Sequence, residues 1–473
     1  MPGILRSYDP NDKTINELAD NERRQRKEDI DTLWKWRDGD HPDTLLTYPG
    51  ERNDNIPIPL SGQKVDALSD FIGQPTFTVP GGVDTVRLPD GSYSVEETPE
   101  QQALNMLLEE SRFDSLHSDI VESGAVSGHV FLRVVITDEN DVTISHIDPR
   151  FVTVYWDVER IGTRRSTLYY EMMWQAAGKQ KRQHIVPAWL VEGTEYAVPA
   201  DTWLIIEWMR GENDSKWLET GRDVWEYPFA PIVDGKVFRR AHQYYGRSLI
   251  DDYHLNNSVN FVASNTGKII KHHAHPKTVG LDVNVPDSAG VDEFVTVTST
   301  GQQRGEIFNL TIDPNGIRHS MDFLAYLQQV YFTTGRIVDP LSVRDKVGNI
   351  TNFGLRTLYR DMIGLAEQGR SQIGSVECEA LHRALFVAGV DVEKPDITWS
   401  DPLPQDIKEL VETGEKKVGL GVSKQTIHEE LGYDYADEQE RVNEESANAQ
   451  QAVGRQLELF GERNQSLVGG FPS

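Results

Sequence analysis

Apolar positions three and four apart alternate along this chain with strand-like runs, and the change of period organises it before any composition is counted. Leu18, Ile30, Leu33 and Trp34 lie among many charges and predict a helix from Ile15 to Trp36, closed by the turn signal Asp38-Gly39-Asp40-His41-Pro42. Val65, Leu68 and Ile72 predict a short helix from Gln63 to Ile72, stopped by Gly73 and Pro75. Gly81 to Glu100 reads as a polar loop. Leu104, Leu107, Leu108, Phe113, Leu116 and Ile120 then predict one acidic amphipathic helix from Glu100 to Glu122.

From there the period changes to that of strands. His129 to Ile136 and Val142 to Ile147 flank the turn Asp138-Glu139-Asn140-Asp141, and similar runs follow at Val152 to Trp156, Thr167 to Trp174, Ile185 to Val191 and Trp203 to Trp208. This predicts an antiparallel sheet region, in which Trp156, Trp174, Trp189, Trp203 and Trp208 read as sheet and core packing rather than a platform for stacked bases. After Pro228 and Pro231, Gly246 and Ser248 open a helix carrying Leu249, Tyr253, Asn256, Val259 and Val262 to about Ile270. A second runs from Ile317 to Thr333 on the stripe Ile317, Met321, Leu324, Leu327 and Tyr331. Strand-like pieces at Phe294 to Thr298 and Glu306 to Leu310 predict a small excursion joining two helices that pair.

Gly335 to Gly348 is a polar loop, and beyond it a helical pattern runs from Asn352 to Val387, roughly 54 Å if unbroken. Gly354, Gly364, Gly369 and Gly374 inside it each cost about 1 kcal/mol relative to alanine, so a bend or a close helix contact is expected there. After Pro402 and Pro404 come a helix from Asp406 to Thr413, the turn Gly419-Leu420-Gly421, a Ser423-capped helix to Leu431 and a charged tail, with Val468 to Ser473 fraying.

Composition narrows the function classes. Across 473 residues, 75 acidic against 47 basic side chains leave a net charge of −28, which disfavours a simple electrostatic clamp on nucleic acid. Apolar content of 38% and ten tryptophans supply real cores and argue against global disorder. The single cysteine, Cys378, rules out an internal disulfide or a CxxC zinc cluster and fits a reducing compartment. The apolar runs are short, so neither a signal peptide nor a membrane helix is expected.

No GxxxxGK[ST], GxGxxG, HExxH or GxSxG motif is present, so the chain has no recognisable means of hydrolysing ATP. Lys271-His272-His273-Ala274-His275 could ligate zinc or nickel if a carboxylate joined it, or could be an exposed turn where imidazoles suit a helix C-terminus. Adjacent carboxylates (Asp251-Asp252, Glu109-Glu110, Glu429-Glu430) point about 100° apart on a helix and read as solvated faces. Asp148-Pro149 reads as a turn. One stretch departs from the acidic background: Lys236 to Gly280 holds seven Lys/Arg, two acids and five histidines, net +5, so the rest carries −33. Either it balances a neighbouring acidic segment or it faces a polyanion or an acidic partner.

The order of these pieces resembles the portal proteins of tailed bacteriophages along nearly the whole chain. Trp34-Lys35-Trp36 with Asp38-Gly39-Asp40-His41 looks like that family's aromatic and Gly-x-His element, and Asn55 to Phe77, with Val65-Asp66 and Gly73-Gln74-Pro75, like its helix ending in a Gly-x-Pro turn. Ser123-Gly124 to Val135, then Ile147-Asp148-Pro149 and Val154-Tyr155, are similar to the hairpin and strand that follow. Pro231-Ile232-Val233, Tyr245-Gly246-Arg247-Ser248-Leu249 and Asn256 to Asn260 resemble the start of the family's stem.

The resemblance implies an α+β portal fold: a mixed wing at 1–245, a stem helix at 246–270, a small α/β clip at 271–316, a second stem helix at 317–334, a tunnel loop at 335–350, a long kinked wing helix and strand at 351–400, and a helical crown with tail at 401–473. It implies no enzyme and no cofactor or metal. Twelve copies would form a ring at a capsid vertex, assembled in the host cytoplasm and carried in the virion, through which double-stranded DNA is packaged and ejected. Its partners would be further copies of itself, the DNA, a terminase motor, the major capsid protein, scaffold and a head-tail adaptor, with no membrane. Arg336, Arg344, Lys346 and Asn349 would face the DNA channel, and Lys268, Lys271, His272, His273 and Lys277 the clip and motor. An acidic channel would keep phosphates from binding tightly while a few cations centre the duplex. Two alternatives stand beside it: a metal-dependent hydrolase using His272, His273 and His275, or another virion structural protein such as a capsid or adaptor subunit.

Overall fold

The computed structural model describes residues 13–45, 53–87, 93–137, 141–156, 167–191, 202–211, 216–241, 243–274, 278–281, 283–284, 298–299, 306–309, 314–339 and 352–403, with 414, 416–419, 421, 423 and 427. It is a mixed α+β chain. Helix α1 (Lys13–Asp38) buries Ile30, Leu33 and Trp36, and α2 (Leu60–Ile72) buries Val65, Leu68 and Ile72, the stripes that predicted them. The last carbonyls of α2 are satisfied from afar: the Arg370 guanidinium donates to Phe71 O at 3.0 Å, Ile72 O at 2.9 Å and Ser400 O at 2.8 Å.

Strand β1 (Pro75–Thr78) follows, and then two expectations fail. The polar loop at Gly81 to Glu100 holds an antiparallel hairpin, β2 (Val83–Arg87) with β3 (Tyr93–Glu97), two five-residue strands too short for their alternation to stand out. The single helix expected from Glu100 to Glu122 is two, α3 (Pro99–Glu110) and α4 (Phe113–Ser127), broken where Arg112 takes a left-handed φ of 47°. The break turns Phe113 inward, edge-on to Phe77 at 5.2 Å, a tertiary contact that overrides local helix propensity.

β4 (His129–Ile136) and β5 (Val142–Ile147) begin one sheet, and β6 (Val152–Trp156), β7 (Thr167–Ala176), β8 (Lys179–Pro187), β9 (Trp203–Gly211) and β10 (Leu218–Trp225) form a five-stranded antiparallel meander. β11 (Ile232–Lys236) returns to pair with β4, completing a three-stranded sheet ordered β11-β4-β5. β4 is buried on both faces: Val130, Leu132 and Val134 join the main core, while Phe131 joins Ile232, Val152, Val154, Tyr170, Met172 and Ile185 in a second. Trp208 is buried and Trp174 and Trp203 pack on core clusters, but Trp189 is 61% exposed, so the packing expectation fails for it. Glu171, fully buried, is matched by Arg182 Nε at 2.5 Å, Arg23 Nη2 at 2.9 Å and the Tyr155 hydroxyl at 2.6 Å, tying α1 to the meander.

The two helices after the sheets pair as expected: α5 (Tyr253–Ala274) and α6 (Pro314–Thr334) flank the paired strands β12 (Thr278–Leu281) with β15 (Glu306–Asn309) and β13 (Val283–Asn284) with β14 (Thr298–Ser299). α5 starts at Tyr253 rather than Gly246 because the preceding turn is used for packing. A Cβ on Gly246 would lie 1.9 Å from Gly128 O, and Gly128 itself, at φ +77°, closes α4.

The long helix is interrupted once. α7 (Asn352–Leu358) and α8 (Arg360–Val387) meet at Tyr359, whose ring stacks on Phe71 of α2 at 5.3 Å, so the break is not at a glycine. The glycines instead give close contact: a Cβ on Gly369 would lie 3.0 Å from Ile72, and one on Gly374 2.9 Å from Ile397. α8 and α4 pack on the three-stranded sheet, and β16 (Asp396–Trp399) pairs with β1.

Two compact units emerge, residues 1–80 with 103–402, and 81–102 with 403–473. The first holds the cores just described. The second contains the β2–β3 hairpin and the buried Leu403 and Ile427, with Gly414 against Ile427. Most of the helices expected at Asp406 to Thr413 and Ser423 to Leu431 lies outside the described residues.

Candidate functional site

The polar chemistry of the first unit gathers at the root of the α5–α6 pair. Asn256, Asn260 and Ser264 recur every four residues on one buried face of α5 and accept the backbone N–H groups of Ser61 at 3.1 Å, Ile58 at 3.0 Å and Ile56 at 2.9 Å. The strand of chain they hold reads Ile56-Pro57-Ile58-Pro59. Proline at 57 and 59 removes the intervening donors, so the N–H groups at 56 and 58 both go to the helix. Asn256 also donates to Ile58 O at 2.9 Å, and Ile56 lies over Gly267.

From this ladder a chain of hydrogen bonds runs in one direction across four helices. Tyr331 donates to Ser61 Oγ at 2.7 Å, Ser61 to Asn256 Oδ1 at 3.0 Å, Asn256 to Asn260 Oδ1 at 3.3 Å, Asn260 to His41 Nδ1 at 2.8 Å, and His41 Nε2 to Trp36 O at 3.3 Å. The sequence of donors requires a neutral His41 carrying its proton on Nε2, and burial does push the His41 pKa down. The His41 ring stacks on Trp36 at 4.2 Å, and Trp36 on Tyr253 at 5.3 Å. Burial also pushes the Tyr331 phenol up, so it stays a donor. Residues quoted for two separate motifs, Trp36 and His41 in one and Asn256 and Asn260 in the other, thus meet in a single seam.

Beside it, Lys64 is fully buried. Its ammonium reaches Asp252 Oδ1 at 2.8 Å and Oδ2 at 2.9 Å and lies 3.7 Å from the centre of the Tyr331 ring. Thr334 donates to Asp252 Oδ2 at 2.8 Å. The end of α6 therefore meets the start of α5, and the helices are antiparallel, each roughly 32 Å long, with the paired strands at the far end. No signal in the sequence marked Lys64, since a lysine on an amphipathic helix reads as solvated. Asp251 and Asp252, expected on a solvated face, are divided between Arg240 and Lys64.

The predicted site residues separate. Arg336 follows α6 directly, exposed, at φ +59°, with Nη2 3.2 Å from where a Cβ of Gly364 would be. Arg344, Lys346, Asn349 and Lys277 lie outside the described residues, as does His275. Lys268 and Lys271 are on the outer half of α5. Lys271, half exposed, pairs with Asp54 at 2.8 Å, which supports local charge balance over an uncommitted cation at that position. His272 and His273 belong to the last turn of α5. Among the described residues no cluster of three or more His, Cys, Asp or Glu side chains could hold a metal, and no helix is long and apolar enough to cross a membrane. Asp148 caps its own turn, accepting the Arg150 N–H at 2.8 Å, as its turn reading predicts.

What distinguishes the α5–α6 pair is its bareness. No residue from 315 to 330 of α6 is buried, although the stretch contains Ile317, Met321, Phe323, Leu324, Tyr326, Leu327 and Val330. Met321, Phe323 and Tyr326 are 57%, 51% and 59% exposed, and Phe261 and Ile270 on α5 are exposed as well. Helices with this much uncovered apolar surface mark an interaction site.

No family model matches the sequence, and no curated protein matches it. Among solved structures, the chain is similar to one described as the neck of a native GTA particle computed with C12 symmetry, at 12% identity and a TM-score of 0.41, covering 80% of this chain and 90% of that one.

Proposed function

We propose that the chain is the repeating subunit of a ring-shaped phage portal, a non-enzymatic conduit for double-stranded DNA at a capsid vertex, with the α5–α6 pair as its stem, the strands between them as its clip and the segment after α6 as its tunnel loop. The observation that carries this reading is the uncovered α6. A helix of this apolarity with no buried residue from 315 to 330, where only Leu324 and Leu327 pack in part on the core, needs a cover in the single chain, and a second copy of the hairpin supplies one of matching length and composition. Copies that cover one another head to tail form a ring where the rotation between neighbours closes, which is the arrangement proposed.

Charge supports the same reading. A net −28 per subunit lets a duplex slide without tight binding, while the exposed Arg336 at the end of α6 supplies an isolated cation toward phosphate. Terminase, scaffold, major capsid protein and adaptor are the partners this role requires, and Lys268, Lys271, His272 and His273 on the outer half of α5 stand at the clip end where a motor would dock, with Lys277 following them in the sequence. Native mass measurement of wild type and of Phe323→Glu with Tyr326→Glu tests the assembly. The wild type should be a large oligomer and the double variant a folded monomer; a monomeric wild type contradicts the proposal.

A further inference from the structure

We infer that the buried Lys64, paired with Asp252, is a pin that fixes the direction in which the chain leaves α6, and so positions Arg336. Three elements meet at this pair: α2 provides Lys64, the turn before α5 provides Asp252, and the last turn of α6 provides Tyr331 and Thr334. The Lys64 side chain is fully enclosed and both Asp252 oxygens receive its ammonium, so its position has little freedom. Thr334 shares one of those oxygens.

The next residue is shaped to the lysine. A Cβ on Gly335 would lie 2.3 Å from Lys64 Cε and 2.7 Å from Nζ, so a larger residue there must push the end of the lysine from its place. From there Arg336 N–H bonds to Thr333 O at 3.0 Å and Ile337 N–H to Phe332 O at 3.0 Å, and Ile337 is buried again. The left-handed turn at Arg336 is thus held on both sides, by the lysine beneath Gly335 and by Ile337 in the core, which leaves the guanidinium outside against Gly364. The pin is a property of the single chain. Its use in presenting Arg336 to DNA rests on the portal reading.

The test uses the full-length chain with Lys64→Met, which fills the same slot without charge, and Gly335→Ala, which presses on the lysine from the other side. Hydrogen exchange at the amides of 335, 336 and 337 and tryptic cleavage after Arg336 are the readouts. Both should speed up at least tenfold beyond any change at the amides of α2 and α8 in either variant, while the oligomeric state stays as in wild type. If the fold is kept and exchange and cleavage at 335–337 are unchanged, the inference is overturned. Acceleration spread evenly over α2 and α8 also overturns it, because that is general destabilisation. Should Lys64→Met fail to fold, Gly335→Ala decides alone. A wild type that is monomeric would remove the portal reading and leave this result standing.

Discussion

Asn260 donates its side-chain amide to the Nδ1 atom of His41 at 2.8 Å, joining residues 219 positions apart at the point where the N-terminal segment, α2 and α5 meet. The bond fixes the tautomer of the imidazole, and the same asparagine accepts the Ile58 N–H. Replacing it with leucine takes the partner from His41 Nδ1 and from the Ile58 N–H, both half-buried. Asn260→Leu should cost about 2–4 kcal/mol, read as a lower denaturant midpoint.

Lys64 and Asp252 should respond unequally to removal. Asp252 is partly open to water, so Lys64→Met leaves a carboxylate that can hydrate, whereas Asp252→Ala strands an ammonium in the core. Asp252→Ala should lose about 3–5 kcal/mol and Lys64→Met clearly less, with the double variant recovering part of the loss. Denaturant titration of the three variants checks the order.

Burial holds the His184 pKa down at about 4, against 6.5 for the unfolded side chain, with the Arg182 charge adding in the same sense. Between those values the unfolded chain takes up the proton first, so stability is full above pH 6.5 and falls as pH drops toward 4, by about 3 kcal/mol. Burial raises the Glu377 carboxyl and acts in the opposite sense on acidification, so the difference between wild type and His184→Phe isolates the histidine. That difference should shrink steadily from pH 7 to pH 4.

Among the described glycines, Gly246 is the least open to replacement on contact grounds. Its Cβ would meet Gly128 O at 1.9 Å and Phe238 O at 2.9 Å, both backbone atoms that cannot step aside. Gly246→Ala should cost more than about 3 kcal/mol, or prevent folding, as judged by soluble yield and melting temperature.

These residues also show how far the sequence could be read. The stripes of α2, α5 and α6 and the runs of β4 to β9 were legible because their apolar periods were regular, although β4 is buried on both faces and α6 keeps no residue buried from 315 to 330. The breaks at Arg112 and Tyr359 were not, since nothing local opposes a helix there and the cause is a ring from elsewhere, Phe77 in one case and Phe71 in the other. The glycines of α8 signalled close contact correctly, but the bend lay at a tyrosine. Asn256 and Asn260 stood out as part of a motif, yet their work, holding the N–H groups of residues 58 and 61, depends on chain neighbours some 200 positions away. Lys64 carried no signal at all.

The central claim is that copies of the α5–α6 pair cover one another around a closed ring. Negative-stain imaging of the purified full-length protein, classified into end views, tests it most directly. A closed ring of about twelve subunits with an open central hole is the result this account predicts. Monomers in all conditions, or open filaments without a hole, would contradict it.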